Sequence, residues 1–125
     1  MGGYSSFLPA MLRQVLKSKL HRAMISEASV DYEGSIELPA DLVEEACLWS
    51  GEKVLVASIS TGARLETYVQ VGPAGTGKII INGGAAHLIG KGELVTIMAF
   101  GLSEEPVEAR KLVLDKENNV IQVSG

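Results

Sequence analysis

From Val15 to Ile25 the pattern of apolar and polar positions is short and β-like, with Leu16 and Leu20 on one face and Lys17, Lys19 and His21 on the other. That two-residue period is the mark of a half-buried strand. Val30–Tyr32 extends the β-like pattern, which breaks at Gly34-Ser35. Pro39-Ala40-Asp41 predicts a helix start, because the fixed φ of proline suits a first turn and its missing N–H costs nothing there. Leu42, Val43 and Ala46 then supply a short apolar stripe as far as about Cys47. Val54–Ile59 and Leu65–Val71 read as strands joined by the turn Ser60-Thr61-Gly62-Ala63. Lys78–Ile81 and Leu94–Phe100 are rich enough in β-branched and apolar residues to be further strands. Lys111–Leu114 and Val120–Val123 flank Asp115-Lys116-Glu117-Asn118-Asn119, a hairpin-loop composition, and Ser103–Arg110 with Pro106 reads as one helical turn.

The pattern therefore predicts a mainly β protein of about seven short strands with one or two short helices. Its 14 glycines, above the average share, point to tight turns and a closed or nearly closed β-barrel. With 125 residues the chain fits one domain. Residues 1–10 are small, uncharged and aperiodic, and Met11 opens a more charged, regular stretch, so the domain is expected over 11–125. Eleven Lys and Arg against 15 Asp and Glu give a net charge of −4, which argues against a nucleic-acid binder. A single cysteine, Cys47, rules out an intrachain disulfide and most cysteine-based metal sites. His21 and His87 are too few to argue for a metal. Neither a membrane-length apolar run nor a signal-peptide pattern is present, and a soluble cytoplasmic protein is expected.

Gly72-Pro73-Ala74-Gly75-Thr76-Gly77-Lys78 has the spacing of a phosphate-cradling loop, with Lys111-Leu112-Val113-Leu114-Asp115 as a possible metal-holding strand. Position 79 is Ile, without the hydroxyl that ligates the metal, and Ile79-Ile80-Ile81-Asn82-Gly83-Gly84 is a poor helix start. A glycine-rich link between strands is the simpler reading.

Four elements carry the candidate chemistry: Lys19-Leu20-His21-Arg22, Tyr32-Glu33-Gly34-Ser35, Thr67-Tyr68 with Arg64 upstream, and Asn82-Gly83-Gly84-Ala85-Ala86-His87. Taken singly each has a plain structural explanation. Gly-Ser after a strand is a turn, Lys19 and His21 suit a solvated sheet edge, and Arg64, Glu66 and Tyr68 suit a surface ladder. Tyr32 reads as packing beside the turn.

Together, in this order and spacing, the four elements closely resemble the pyruvoyl-dependent aspartate 1-decarboxylases from Met11 to about Ala109, the tail beyond about Glu108 being poorly matched. The resemblance implies a six-stranded double-psi β-barrel that cleaves itself between Gly34 and Ser35 into 1–34 and 35–125. Ser35 would attack the Gly34 carbonyl and, after elimination and hydrolysis, become a covalent pyruvoyl group. Gly34 leaves the carbonyl unobstructed, and Thr67 helps hold the oxyanion. The pyruvoyl carbonyl would form a Schiff base with L-aspartate and serve as electron sink for the release of CO2, yielding β-alanine for pantothenate and coenzyme A synthesis. Arg64 would bind a substrate carboxylate, Lys19 add positive charge, and Tyr68 donate the proton. Asn82 and the Gly83-Gly84-Ala85-Ala86 backbone would line the site. The alternative from another class is a β-barrel binding module that is never processed.

In a regular strand Thr67 and Tyr68 face opposite sides, and Arg64 lies about 13 Å from Tyr68 at roughly 3.3 Å per residue. One site holding all three requires a bulge, a strong twist or a neighbouring subunit. The resemblance implies the last, since the family's active sites lie between subunits of a homotetramer.

Overall fold

A computed structural model describes residues 10–125, so the segment 1–10 that the sequence sets apart from the domain falls, apart from Ala10, outside the described residues. These residues form nine strands, one α-helix and one 3-10 turn: β1 Arg13–Met24, β2 Glu27–Ser29, β3 Ser35–Pro39, α1 Ala40–Glu45, β4 Lys53–Ser58, β5 Arg64–Gly72, β6 Ile80–Asn82, the 3-10 turn Gly83–His87, β7 Leu94–Ser103, β8 Arg110–Leu114 and β9 Val120–Ser124. They join one mainly β sheet in the order β2-β6-β3-β5-β4-β7-β1-β8-β9. Three pairs are parallel, β1 with β8, β2 with β6 and β3 with β5, and each joins segments far apart in the chain. No described helix is long and apolar enough to cross a membrane.

The inward positions are those the alternation singles out. In β4, Val54, Val56 and Ser58 are buried between half-exposed or exposed neighbours, and in β5 Leu65, Thr67 and Val69 turn inward while Arg64, Glu66, Tyr68 and Gln70 turn outward. β3 differs: four of its five residues are buried, because it lies between β6 and β5 with both faces covered. Leu20, Ile36, Leu38, Val56, Val69, Ile81, Ile97 and Leu112 are wholly shielded in the shared core. Each such side chain contributes about 1.5–3 kcal/mol through burial.

Proline does open α1, as expected: Pro39 is its N-cap residue, and Leu42 and Val43 face the core. Asp41 in the first turn reaches out to accept a hydrogen bond from the Gly75 amide at 2.9 Å. That contact pins the glycine-rich link, whose Lys78 lies 3.9 Å from Glu27 and leads into β6. The phosphate-loop spacing is thus a strand connection.

Three local expectations are corrected. Val30–Tyr32 is an exposed turn, and the strand there is the preceding Glu27–Ser29, which is held by parallel pairing to β6. Ser103–Arg110 contains no helical turn: Ser103 ends β7, Arg110 begins β8, and the residues between are irregular. The Lys78–Ile81 strand starts only at Ile80. Register shifts lie in β1, between Leu16 and Ser18 and between Leu20 and Ala23, and in the β8–β9 pair between Val113 and Leu114, whereas β5 keeps unbroken register with β4.

Candidate active site

Ser35 is the first residue of β3 and is completely buried, whereas Gly34, one residue earlier, is exposed at the end of the 30–34 turn. The chain passes from solvent to core across this single peptide bond. Two neighbouring strands position the serine. Antiparallel pairing sets Ser35 opposite Asn82, the last residue of β6. Parallel pairing sets Ile36 opposite Val69 on β5, which brings Ser35 level with Tyr68. The Ser35 hydroxyl donates to Gln70 Oε1 at 2.8 Å and accepts from Asn82 Nδ2 at 3.3 Å. Both partners are side-chain amides, which neither give up nor take a proton near neutral pH.

Gly83 supports the turn from below. Its φ is +78°, and a Cβ there would stand 2.6 Å from both Cα and N of Gly34 and 2.9 Å from the Tyr32 carbonyl oxygen. Only glycine fits both the backbone conformation and the space. The 3-10 turn that follows packs Ala85 and Ala86 against the core and leaves Gly84 and His87 exposed. At Gly34 itself a Cβ would meet no atom within 4 Å, and φ lies outside the left-handed region. The fold therefore imposes no steric demand for glycine at that position in the uncleaved chain.

Beside Ser35 opens a cleft of about 720 Å³ whose walls include Tyr32, Tyr68, Gln70 and Asn82. Tyr68 is 41 % and Tyr32 69 % exposed, so Tyr32 faces the cleft and does not pack beside the turn as expected. The lining also carries Glu27, Glu33 and Glu37, and among the described residues it contains no lysine or arginine.

Gly34, Ser35, Tyr68, Asn82 and Gly83 are therefore brought together. Lys19, Arg64, Thr67, Gly84, Ala85 and Ala86 are not among the cleft's lining residues. Lys19 lies on β1 between Met98 and Lys111, with β7 and β4 separating that strand from β5. Arg64 starts β5 opposite Ala57, and half-buried Thr67 points to the other side of β5 from Tyr68. The unbroken register of β5 rules out a bulge within that strand as the means of uniting Arg64, Thr67 and Tyr68. His21 sits near Lys19, its Nδ1 3.3 Å from Thr96 Oγ1. Burial first, then the charges of Lys19 and Arg22, hold its pKa below the usual 6.5. Gln70 is the site residue that the sequence reading missed. Its signal was the two-residue period, which puts it on the same strand face as Tyr68.

The fold and the cleft define a mainly β protein with a buried serine behind two amides, Gln70 and Asn82, that line a tyrosine-bearing, acidic pocket. Comparison with known proteins makes that class specific. Residues 11–121 match the model of the aspartate decarboxylase family, so the match runs into the tail that was expected to diverge, as far as Ile121. The chain is 51 % identical over 120 residues to a Corynebacterium efficiens protein named aspartate 1-decarboxylase, covering 92 % of this chain and 88 % of that one. The chain belongs to the aspartate decarboxylase family.

Proposed function

We propose that this protein is a self-processing, pyruvoyl-dependent enzyme that converts L-aspartate to β-alanine and CO2 in the cytoplasm, supplying pantothenate and coenzyme A synthesis. The observation that carries the reading is the placement of Ser35: a shielded hydroxyl, held by two amides, directly after an exposed glycine. In the processing step Ser35 Oγ bonds to the Gly34 carbonyl carbon, the Gly34–Ser35 C–N bond breaks, and the hydroxyl proton ends on the Ser35 nitrogen. Loss of the Ser35 Cα proton then breaks the Cβ–O bond and frees the Gly34 carboxylate. Water hydrolyses the remaining dehydroalanine to a pyruvoyl group and ammonia.

The residues around position 35 suit that group, since Gly83 keeps space open against Gly34 and Asn82 offers an N–H where the serine oxygen now lies. The group would supply a carbonyl that takes up the substrate amine and the electron pair left by the departing carboxylate. Tyr68, exposed to the cleft, is the proton donor in this reading. The backbone of Gly83, Gly84, Ala85 and Ala86 borders the substrate. Thr67 keeps its oxyanion role on the family resemblance.

A dicarboxylate needs cationic partners, and among the described residues the cleft walls of one chain offer three carboxylates and no cation. We therefore assign Lys19 and Arg64 to the cleft of a neighbouring copy in a homotetramer. In this reading the sheet closes as the six-stranded double-psi barrel of a single domain over 11–125, and the three parallel pairs fit its need for crossed connections.

The test is the intact mass under denaturing conditions. Cleavage after Gly34 splits 125 residues into 34 and 91, about 3.6 and 9.6 kDa of the 13.2 kDa chain. Gain of water and loss of ammonia leave the sum about 1 Da above the precursor, against about 18 Da for hydrolysis alone. Ser35→Ala stays whole and inactive. A wild-type chain that remains uncut and carries no reactive carbonyl would instead be the unprocessed binding module.

A further inference from the structure

Self-cleavage asks more of Ser35 than a hydroxyl near a carbonyl: the oxygen must present a free lone pair while its proton points elsewhere. A serine hydroxyl has one hydrogen to donate and two lone pairs to offer. Here the hydrogen goes to Gln70 Oε1 at 2.8 Å, and Asn82 Nδ2 engages one lone pair at 3.3 Å. Among the described residues no donor engages the second lone pair. We propose that Gln70 is a positioning residue for the break at Gly34–Ser35, fixing the Ser35 hydroxyl so that its unengaged lone pair is the one available for attack. The inference rests on the self-processing reading and deepens it.

Three observations favour this role over a structural one. Gln70 is exposed on the cleft side of β5, while Val69 and Leu65, on the opposite face, supply the packing. Its main chain is held against Glu37 of β3 by the strand register, independently of the side chain. And Ser35 is wholly buried, so bulk water does not take over the hydroxyl's acceptor without entering from the cleft. An amide oxygen is far too weak a base to keep the proton. Gln70 therefore orients the O–H bond, and the proton passes in the end to the Ser35 nitrogen, the atom that loses its bond to Gly34. After cleavage residue 35 carries no hydroxyl, so this role ends with maturation.

The experiment follows cleavage of freshly made full-length precursor by intact mass, from about pH 4 to about pH 8, in wild type, Ser35→Ala, Gln70→Leu and Gln70→Glu. Thermal melts report whether each is folded. Gln70→Leu, which loses the acceptor, should cleave about five- to tenfold more slowly than wild type, as loss of one hydrogen bond implies. Gln70→Glu restores an acceptor and, once ionised, a stronger one, so its rate should climb with pH through the titration of the introduced carboxylate. Wild type should show no such step. If Gln70→Leu does not fold, the pH step in Gln70→Glu decides alone. Cleavage of Gln70→Leu within twofold of wild type overturns the proposal, as does a Gln70→Glu rate that is slow and flat across the pH range. Those results leave self-processing standing as long as wild type cleaves and Ser35→Ala does not. Wild type that never cleaves removes the underlying reading and the proposal with it.

Discussion

Substituting Gly83 by alanine strikes the site through backbone geometry alone and touches no chemical group. The residue holds φ at +78°, in the left-handed region, where a Cβ costs about 1–2 kcal/mol. The same Cβ would sit 2.6 Å from Gly34 Cα and N, atoms of main chain that cannot swing aside as a side-chain tip could. Forcing an extra carbon into such a contact typically costs a further 1–3 kcal/mol. Gly83→Ala should therefore lose roughly 2–5 kcal/mol. If the 30–34 turn yields instead, part of that cost is exchanged for displacement of the Gly34 carbonyl from Ser35. The natural control is the next residue: Gly84→Ala meets no atom within 4 Å, has no left-handed φ and should stay within about 0.5 kcal/mol of the parent. Urea denaturation at one protomer concentration, in a Ser35→Ala background so that every chain is uncut, measures the first effect. Cleavage of Gly83→Ala with Ser35 restored measures the second. A Gly83→Ala variant that is as stable as Gly84→Ala and cleaves at the wild-type rate would refute the reasoning.

Two other perturbations test separate parts of the molecule. The pKa of His21 is depressed, so as pH falls below 6.5 the unfolded chain takes up its proton before the native one does; the stability this residue contributes is whole above 6.5 and is lost as pH falls through the native pKa. Lys19→Met should raise the His21 pKa in an NMR titration without restoring 6.5, because burial is the larger cause; a native value at or above 6.5 contradicts the account. Asn118, 4 % exposed at φ 63°, accepts from the Met24 amide at 2.8 Å and donates to the carbonyls of Met24 and Gly77 at 3.0 and 2.7 Å. Asn118→Ala should cost roughly 2–4 kcal/mol in denaturant titration, and Asn118→Gly, which tolerates the φ, somewhat less; a loss below about 1 kcal/mol for both would mean that this tie between the C-terminal hairpin and β1 is idle.

Local order was legible wherever neighbours in sequence decide it. Proline at position 39 followed by Leu42 and Val43 announced α1, and the alternation of Leu65, Thr67 and Val69 with Glu66, Tyr68 and Gln70 announced β5 and its two faces. Where distant partners decide, the local pattern misled. Val30 and Tyr32 have strand-forming side chains yet lie in a turn, and Glu27–Ser29, with no such bias, is a strand because β6 pairs with it. The residue types of the site were equally plain in the linear motifs, but their arrangement was not.

By itself, then, the sequence determined a mainly β chain, its short helix, its glycine-rich links and the family to which its motifs belong, because each follows from period, turn chemistry or residue type within a few positions. The tertiary structure alone decided that Ser35 meets Asn82 across 47 residues and Gln70 across 35, that Gly83 underlies Gly34, and that Lys19 and Arg64 stay outside the cleft. Those outcomes depend on β3 lying parallel to β5 and antiparallel to β6 with both faces buried. Register between strands so far apart is set by the joint burial of Ile36, Leu38, Val69 and Ile81, a condition on the whole core that no local stretch of sequence contains.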